Sequence, residues 1–279
     1  MNPHAPQPTS ALALVQGLWR NRGLILQMTQ REVVGRYRGS IFGLAWSFFN
    51  PIMMLSVYTF VFSVVFNARW GSSSSGAIAS KTDFAVILFV GMIVHALFSE
   101  VLNRAPTLLL NNPNFVKRVV FPLEILPAVA LCSALFHAAI SLTVLLLAFV
   151  LFNGYLPWTV IFLPVIFLPL VVLTLGFAWM LASLGVFLRD VGQTVGILTT
   201  VLMFLAPVFY PVSALPVEYQ QWLMVNPLTF IIEQARGALV WGHWPDWRGM
   251  GWYSLASISV AWLGYAWFQK TRKGFADVL

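Results

Sequence analysis

Arg36-Tyr37-Arg38-Gly39-Ser40-Ile41-Phe42-Gly43-Leu44-Ala45-Trp46-Ser47-Phe48-Phe49-Asn50-Pro51, continuing without an ionisable side chain to Phe66, decides the fold class. As a helix, the 26 residues from Ile41 to Phe66 would reach about 39 Å, more than the roughly 30 Å of hydrocarbon in a bilayer. The stretch therefore predicts a membrane-spanning helix. Arg31, Arg36 and Arg38 stand just before it, and a basic cluster beside a span is retained on the cytoplasmic side. The first span thus orients everything that follows. Asn50-Pro51 in its interior predicts a kink, because proline removes a backbone hydrogen bond.

The remainder of the 279-residue chain has the same character, with 59% hydrophobic and 9% charged residues, against about 25% charged in an average soluble domain. This composition excludes a soluble globular domain and predicts several spans. The net charge of +7 sits in short segments flanking apolar runs, so topology accounts for it better than a nucleic-acid partner. Cys132 is the single cysteine; no intrachain disulfide can form, and its apolar setting suits a packed hydrophobe. Residues 1–9 read as a disordered, Pro-rich tail without a signal peptide, which leaves targeting to the spans.

From Ser10, a candidate N-cap, Leu14, Val15, Leu18, Ile25, Leu26 and Val33 fall on one side of a helical wheel and Arg20, Arg31 and Arg38 on the other. Residues 10–38 fit an amphipathic helix lying on the cytoplasmic membrane surface, or an ordinary charged juxtamembrane tail. The apolar runs predict an all-α membrane protein with six spans at about 41–66, 84–102, 125–152, 158–188, 191–206 and 249–268. Pro164 and Pro169 are expected to tilt or break the fourth. Segment 104–122 reads as a structured cytoplasmic loop. Leu215–Val225 and Leu228–Trp241, divided by Asn226-Pro227, are too short to cross, and Glu233 and Arg236 would be costly at mid-depth. Re-entrant or outer surface half-helices fit them better. This arrangement places most of the 16 Lys and Arg residues on the cytoplasmic side, with both termini there. It also gathers Trp70, Trp158, Trp222, Trp241, Trp244, Trp247 and Trp252 near the outer boundary.

Catalytic patterns are missing. No two acidic residues lie within four positions of each other, and His4, His95, His137 and His243 lack ligand spacing, so an intramembrane transferase acting on a lipid phosphate has little support. Gly71 and Gly76 have P-loop spacing, but Ala77-Ile78 replace the required Lys and Ser/Thr. Without a Walker A sequence the chain is not expected to hydrolyse nucleotide itself. His95, Glu100 and His137 are the only candidates for a proton relay, and helix-packing hydrogen bonds explain them better. Phe48, Phe49, Tyr58 and Phe62 in the first span, with Phe204, Phe209 and Tyr210 at the end of the fifth, suit either a pore wall offering apolar ring faces to sugars or the ordinary aromatic content of membrane helices.

Several of these runs resemble one family. Arg36-Tyr-Arg-Gly-Ser-x-x-Gly-x-x-Trp46 with Asn50-Pro51 and Val57–Phe62, Phe115–Pro127, Phe187-Leu-Arg-Asp-Val191, Pro207-Val-Phe-Tyr-Pro211, Asn226-Pro227 and Phe275-Ala-Asp-Val-Leu279 are similar to ABC-2 type permeases that export polysaccharides. Within that group they most resemble the O-antigen exporter permeases (Wzm-like) and their teichoic-acid relatives, along essentially the whole chain. The capsule-export branch matches less well at Phe115–Pro127 and Phe187–Val191. The resemblance implies a homodimeric pore in the bacterial inner membrane, paired with two separate ATP-binding subunits that hold ATP and magnesium; no cofactor is expected in this chain. Residues 10–38 would be an interface helix, and 104–122 would hold a coupling helix seated on the ATPase. Asn112, Asn114, Lys117, Arg118, Arg189 and Asp190 would stand at that contact. Spans one and five would line the channel with the aromatic residues named above, and residues 215–241 would form outer gate helices. The implied substrate is a glycan on a polyprenyl diphosphate, which Arg31, Arg36 and Arg38 are candidates to attract; setting topology and touching anionic lipid is the other reading of these arginines. A permease for teichoic acid, capsule, drug or lipid is the alternative within transport, and an intramembrane glycosyl- or acyltransferase the alternative outside it.

Overall fold

The computed structural model describes residues 9–61, 81–116 and 121–278. Phe62, Lys117 and Arg118 lie outside the described residues, as do the terminal tail up to residue 8 and the loop to residue 80. Among the described residues there are helices and turns and no strand. The all-helical membrane class follows directly.

The amphipathic segment forms two helices rather than one. Helix α1 spans Ala11–Arg20, with Ser10 Oγ accepting from Ala13 N at 3.2 Å, and α2 spans Arg22–Arg36. They break at Asn21, which caps α1: its backbone N–H at 3.2 Å and its side-chain amide at 2.8 Å both donate to the Gly17 carbonyl. Helix α3 covers Trp46–Tyr58 and runs straight through Pro51, opening into a π-type turn at residues 59–61. Helix α4 spans Lys81–Arg104 and passes into a 3-10 turn at Ala105–Thr107, followed by the single-turn α5 at Pro113–Val116. Helix α6 covers Ile125–Asn153 and ends on Gly154, whose φ of 74° is the left-handed stop that lacks a Cβ penalty. A 3-10 turn at Trp158–Phe162 leads into α7, Leu163–Phe187. Pro164 sits in the first turn of α7, where a missing N–H is harmless, and the helix continues past Pro169. Then come α8 at Val191–Leu205, α9 at Val217–Leu223, α10 at Pro227–Leu239, α11 at Trp247–Thr271 and α12 at Phe275–Val278.

Among the described residues four helices are long and apolar enough to cross a membrane: Gly43–Val61, Phe84–Thr107, Ile125–Asn153 and Trp158–Phe187. Helix α4 is the centre of the bundle, with 78% of its apolar window buried against 17% for the α3 span. It contacts α3, α6, α7, α8 and α10. Val86, Val94, Leu97, Phe98 and Val101 of α4 join Leu145, Leu163, Ile166, Leu170, Ile231 and Leu239 in one apolar core. Helix α3 is peripheral, which leaves much of its apolar surface open in a single copy.

Helices α7 and α11 form the tightest crossing. A Cβ on Gly176 would sit 2.7 Å from Ala261 Cα, and one on Gly264 would sit 2.9 Å from the Gly176 carbonyl carbon. Only glycine allows backbones this close, which is how membrane helices gain contact where lipid tails are as apolar as the side chains.

Short helix α10 is not a surface half-helix. Its residues Leu228, Ile231, Ile232, Ala235, Arg236 and Leu239 are buried against α4 and α7. Sequence reasoning sets Arg236 toward the surface because an unpaired cation is costly inside; the structure buries it completely and satisfies it internally. Its Nε donates to Ile87 O at 3.0 Å, Nη1 to Pro207 O at 2.6 Å and to Glu233 Oε1 at 3.0 Å, and Nη2 to Val208 O at 2.9 Å. By contrast α9 leaves Val217, Tyr219 and Trp222 exposed.

Candidate functional site

Two regions gather the polar contacts and the open apolar surfaces of the described residues. The first is the end of the bundle where α4 finishes and α6 begins. Arg36 at the end of α2 donates from Nη2 to Glu100 Oε1 at 2.5 Å and approaches His137 Nδ1 at 3.1 Å with Nη1. Nδ1 of His137 also lies 3.5 Å from Glu100 Oε1, and its Nε2 faces Tyr37 Oη at 3.2 Å. Burial raises the Tyr37 phenol above its usual pKa, which keeps it a neutral hydrogen-bond partner. One helical turn earlier on α2, Glu32 Oε1 accepts from Arg104 Nη2 at 2.6 Å. His95 of α4 meets the Thr199 carbonyl of α8 at 3.0 Å. The helix-packing reading of His95, Glu100 and His137 is therefore the one the contacts support.

The three candidate arginines have different surroundings. Arg36 is engaged by Glu100, Arg38 is exposed, and Arg31 lines a cavity of about 560 Å³ with Gln27, Met28, Glu32, Asn112 and Phe115. Asn112 also donates to Leu108 O at 2.8 Å, which closes the turn after α4, while Asn114 is exposed on α5. Arg189 and Asp190 are exposed in the turn between α7 and α8 and border a second cavity of about 520 Å³ with Phe187, Leu188 and Thr194. The C-terminal segment folds under the same end: Arg272 Nη1 reaches Glu124 Oε2 at 2.8 Å and its Nη2 reaches Phe121 O at 2.9 Å, with Phe275 fully buried. Trp179 of α7 donates its indole N–H to Glu124 O at 2.9 Å. Trp179→Phe deletes this bond and also removes one of the two fused rings from a fully buried site, so unfolding in detergent should show a loss of about 2 kcal/mol; an unchanged midpoint would mean that the indole does not hold the loop.

The second region is the pair of open apolar faces on α3 and α8. Phe48 and Phe49 are 47% and 50% exposed, and Ile52, Met53 and Val57 continue the same open surface. On α8, Phe204 is 59% exposed beside Ile197, Leu198 and Val201. Phe204 and Phe209 meet with ring centres 5.9 Å apart, and Tyr210 Oη donates to Phe204 O at 2.9 Å. Tyr58 differs from the others: it is half-buried against Phe89 of α4, with ring centres 6.5 Å apart. At the end of the bundle where α7 and α11 start, Trp158 and Trp244 lie 4.9 Å apart and Phe162 packs on both Trp244 and Trp247.

Residues 23–240 match the family described as ABC-2 type transporter. The chain belongs to that family. The match covers α2 through α10, so the contacts of α2 with α4 and the open faces of α3 and α8 lie within it, and Trp244, Trp247, Arg272 and Phe275 lie beyond it. The ABC-2 chain is 27% identical over 268 residues to the "O-antigen export system permease protein RfbA" of Myxococcus xanthus, covering 95% of this chain and 99% of that protein. It is 22% identical over 261 residues to the Klebsiella pneumoniae protein of the same name, covering 92% and 95%. It is also 22% identical over 244 residues to the "Polysialic acid transport protein KpsM" of Escherichia coli, covering 87% and 91%.

The sequence reading passed over Glu32, Tyr37 and Arg104 as site residues. A signal for them existed. Glu32 and Arg36, and Glu100 and Arg104, are opposite charges four residues apart, the spacing that puts two side chains on one helix face.

Proposed function

We propose that this chain is the membrane-spanning permease subunit of an ATP-driven exporter whose cargo is a polysaccharide, of O-antigen type, carried on a polyprenyl diphosphate. The observation that carries this reading is near full-length similarity to permeases named for O-antigen export, on a chain of apolar helices. Helices α3, α4, α6, α7, α8 and α11 are the six spans. Helix α8 has 15 residues, about 22 Å of helix, so it crosses only with the turn segment at residues 206–210 beyond it. Helix α11 has 25 residues and reaches Lys270, and the basic end fits the cytoplasmic side. Helices α9 and α10 then stand at the outer face as gate elements.

Two copies with their α3 and α8 faces turned inward would shield those apolar surfaces and line a pore with Phe48, Phe49 and Phe204. Ring faces suit the C–H faces of sugars and form no deep binding well, so a long glycan can slide. Separate ATP-binding subunits, two per complex, hold ATP and magnesium and engage the loop after α4, with Asn114, Arg189 and Asp190 on the same exposed end. Arg31 on its cavity and exposed Arg38 attract the lipid diphosphate by charge-assisted contacts. Arg36 is already bonded to Glu100 and serves the scaffold.

The test is co-purification from membranes with the neighbouring ATP-binding protein, followed by ATPase and glycan-export measurements in lipid vesicles. Lys117→Ala/Arg118→Ala in the loop should cut export about tenfold while the chain still inserts, a loss typical of an energetic coupling between sites. If no ATP-binding subunit co-purifies and the chain alone modifies a lipid-linked sugar, the permease reading fails.

A further inference from the structure

Helices α2 and α4 carry the same charge order, acid then base. Along α2 the sequence is Glu32 then Arg36; along α4 it is Glu100 then Arg104. Helix α2 packs on α6 beside α4, and its side chains reach across so that Glu32 pairs with Arg104 at 2.6 Å and Arg36 with Glu100 at 2.5 Å. Each helix offers an acid and a base one turn apart, and only an antiparallel approach in this register satisfies both pairs. A shift of one turn would set Glu32 against Glu100 or Arg36 against Arg104. The four side chains are 24–39% exposed, so water screens them less than fully exposed pairs and a mismatch is correspondingly costly. Tyr37 and Arg36 are also bonded to His137 of α6, which fixes the end of α2 against the bundle.

We propose that Glu32, Arg36, Glu100 and Arg104 are positioning residues of a charge zipper that makes α2 and α4 move as one body, so that displacement of the loop following α4 is delivered to the membrane-surface helix. The inference rests on the reading that this loop receives the ATP-binding subunit. It adds the route by which that input reaches the helix bearing Arg31 and Arg38. Arg104 is the last residue of α4 and the loop begins at Ala105, so a push on the loop bears first on Arg104 and its partner Glu32. Rigid elements joined at two points transmit rotation as well as translation, which a single pair cannot.

The experiment uses the chain with its ATP-binding subunit in lipid vesicles and reads glycan exported per ATP hydrolysed. Reversing α2 alone (Glu32→Arg/Arg36→Glu) or α4 alone (Glu100→Arg/Arg104→Glu) should lower that ratio about tenfold, and the fourfold variant should recover it to within about threefold, as expected when two sites are coupled only through each other. The neutral Glu100→Gln, a milder change suited to a chain that folds poorly with reversed charges, should lower the ratio without lowering ATPase subunit recovery. Wild-type ratios in the reversed variants, or a fourfold variant no better than its parents, would overturn the zipper while leaving the permease reading intact. Failure of the wild-type chain to recruit an ATP-binding subunit would overturn both.

Discussion

Arg236→Leu is expected to destabilise the protein by about 4 kcal/mol, the scale seen when one partner of a buried charged network is removed. The guanidinium holds three carbonyls that belong to different parts of the chain: Ile87 in α4, and Pro207 and Val208 in the turn after α8. Leucine would fill most of the volume yet leave those oxygens without donors in a site closed to water. Arg236→Lys keeps the charge but not the planar fork, so it should recover only part of the loss. Thermal unfolding of the purified chain in detergent is the measurement. A midpoint for Arg236→Leu equal to wild type would show that the carbonyls find other donors and that Arg236 does not hold the end of α8.

Gly264→Leu should be nearly as damaging, at about 3 kcal/mol, the upper part of the range for overpacked interiors. Any Cβ at this position enters the backbone of Gly176 on α7, and a backbone cannot rotate aside as a side chain can. Helix α11 would have to move off α7, opening the packing around Trp179, Tyr265 and Phe268. Gly251→Leu on the same helix is the control, since nothing stands within 4 Å of its Cβ position. The pair should separate clearly in detergent unfolding. Equal behaviour of the two variants would mean that the α7–α11 crossing is looser than the geometry indicates.

The contrast between these two sites shows where sequence reasoning stops. Gly264 is one of 19 glycines, and no local pattern marks it as the one pressed against another backbone; the crossing partner, Gly176, is far away in the chain. Arg236 is legible as a costly cation at membrane depth, but its cost was resolved by exposure in the reading and by backbone carbonyls in the fold. Hydrogen bonds to carbonyls leave no trace in residue type, so the sequence could not announce them. The aromatic residues tell a similar story: Phe48 and Phe49 stand open while Tyr58, two to three turns along, is half-buried on α4. Which side of α3 meets α4 depends on the packing of both helices, not on α3 alone.

By itself the sequence determined the solvent of this protein and its broad class. Long runs without charge can be satisfied only as helices in lipid, because every backbone polar group must then bond within its own segment. Basic flanks and the ordered motifs carried the family as well, since these are properties read along the chain. Tertiary structure alone decided that α4 is the centre, that α10 is buried rather than laid on the surface, and that Arg36 is held by Glu100 instead of standing free beside Arg31. Each of these depends on pairing residues tens to hundreds of positions apart, and such pairings are selected by shape and charge only once the helices meet.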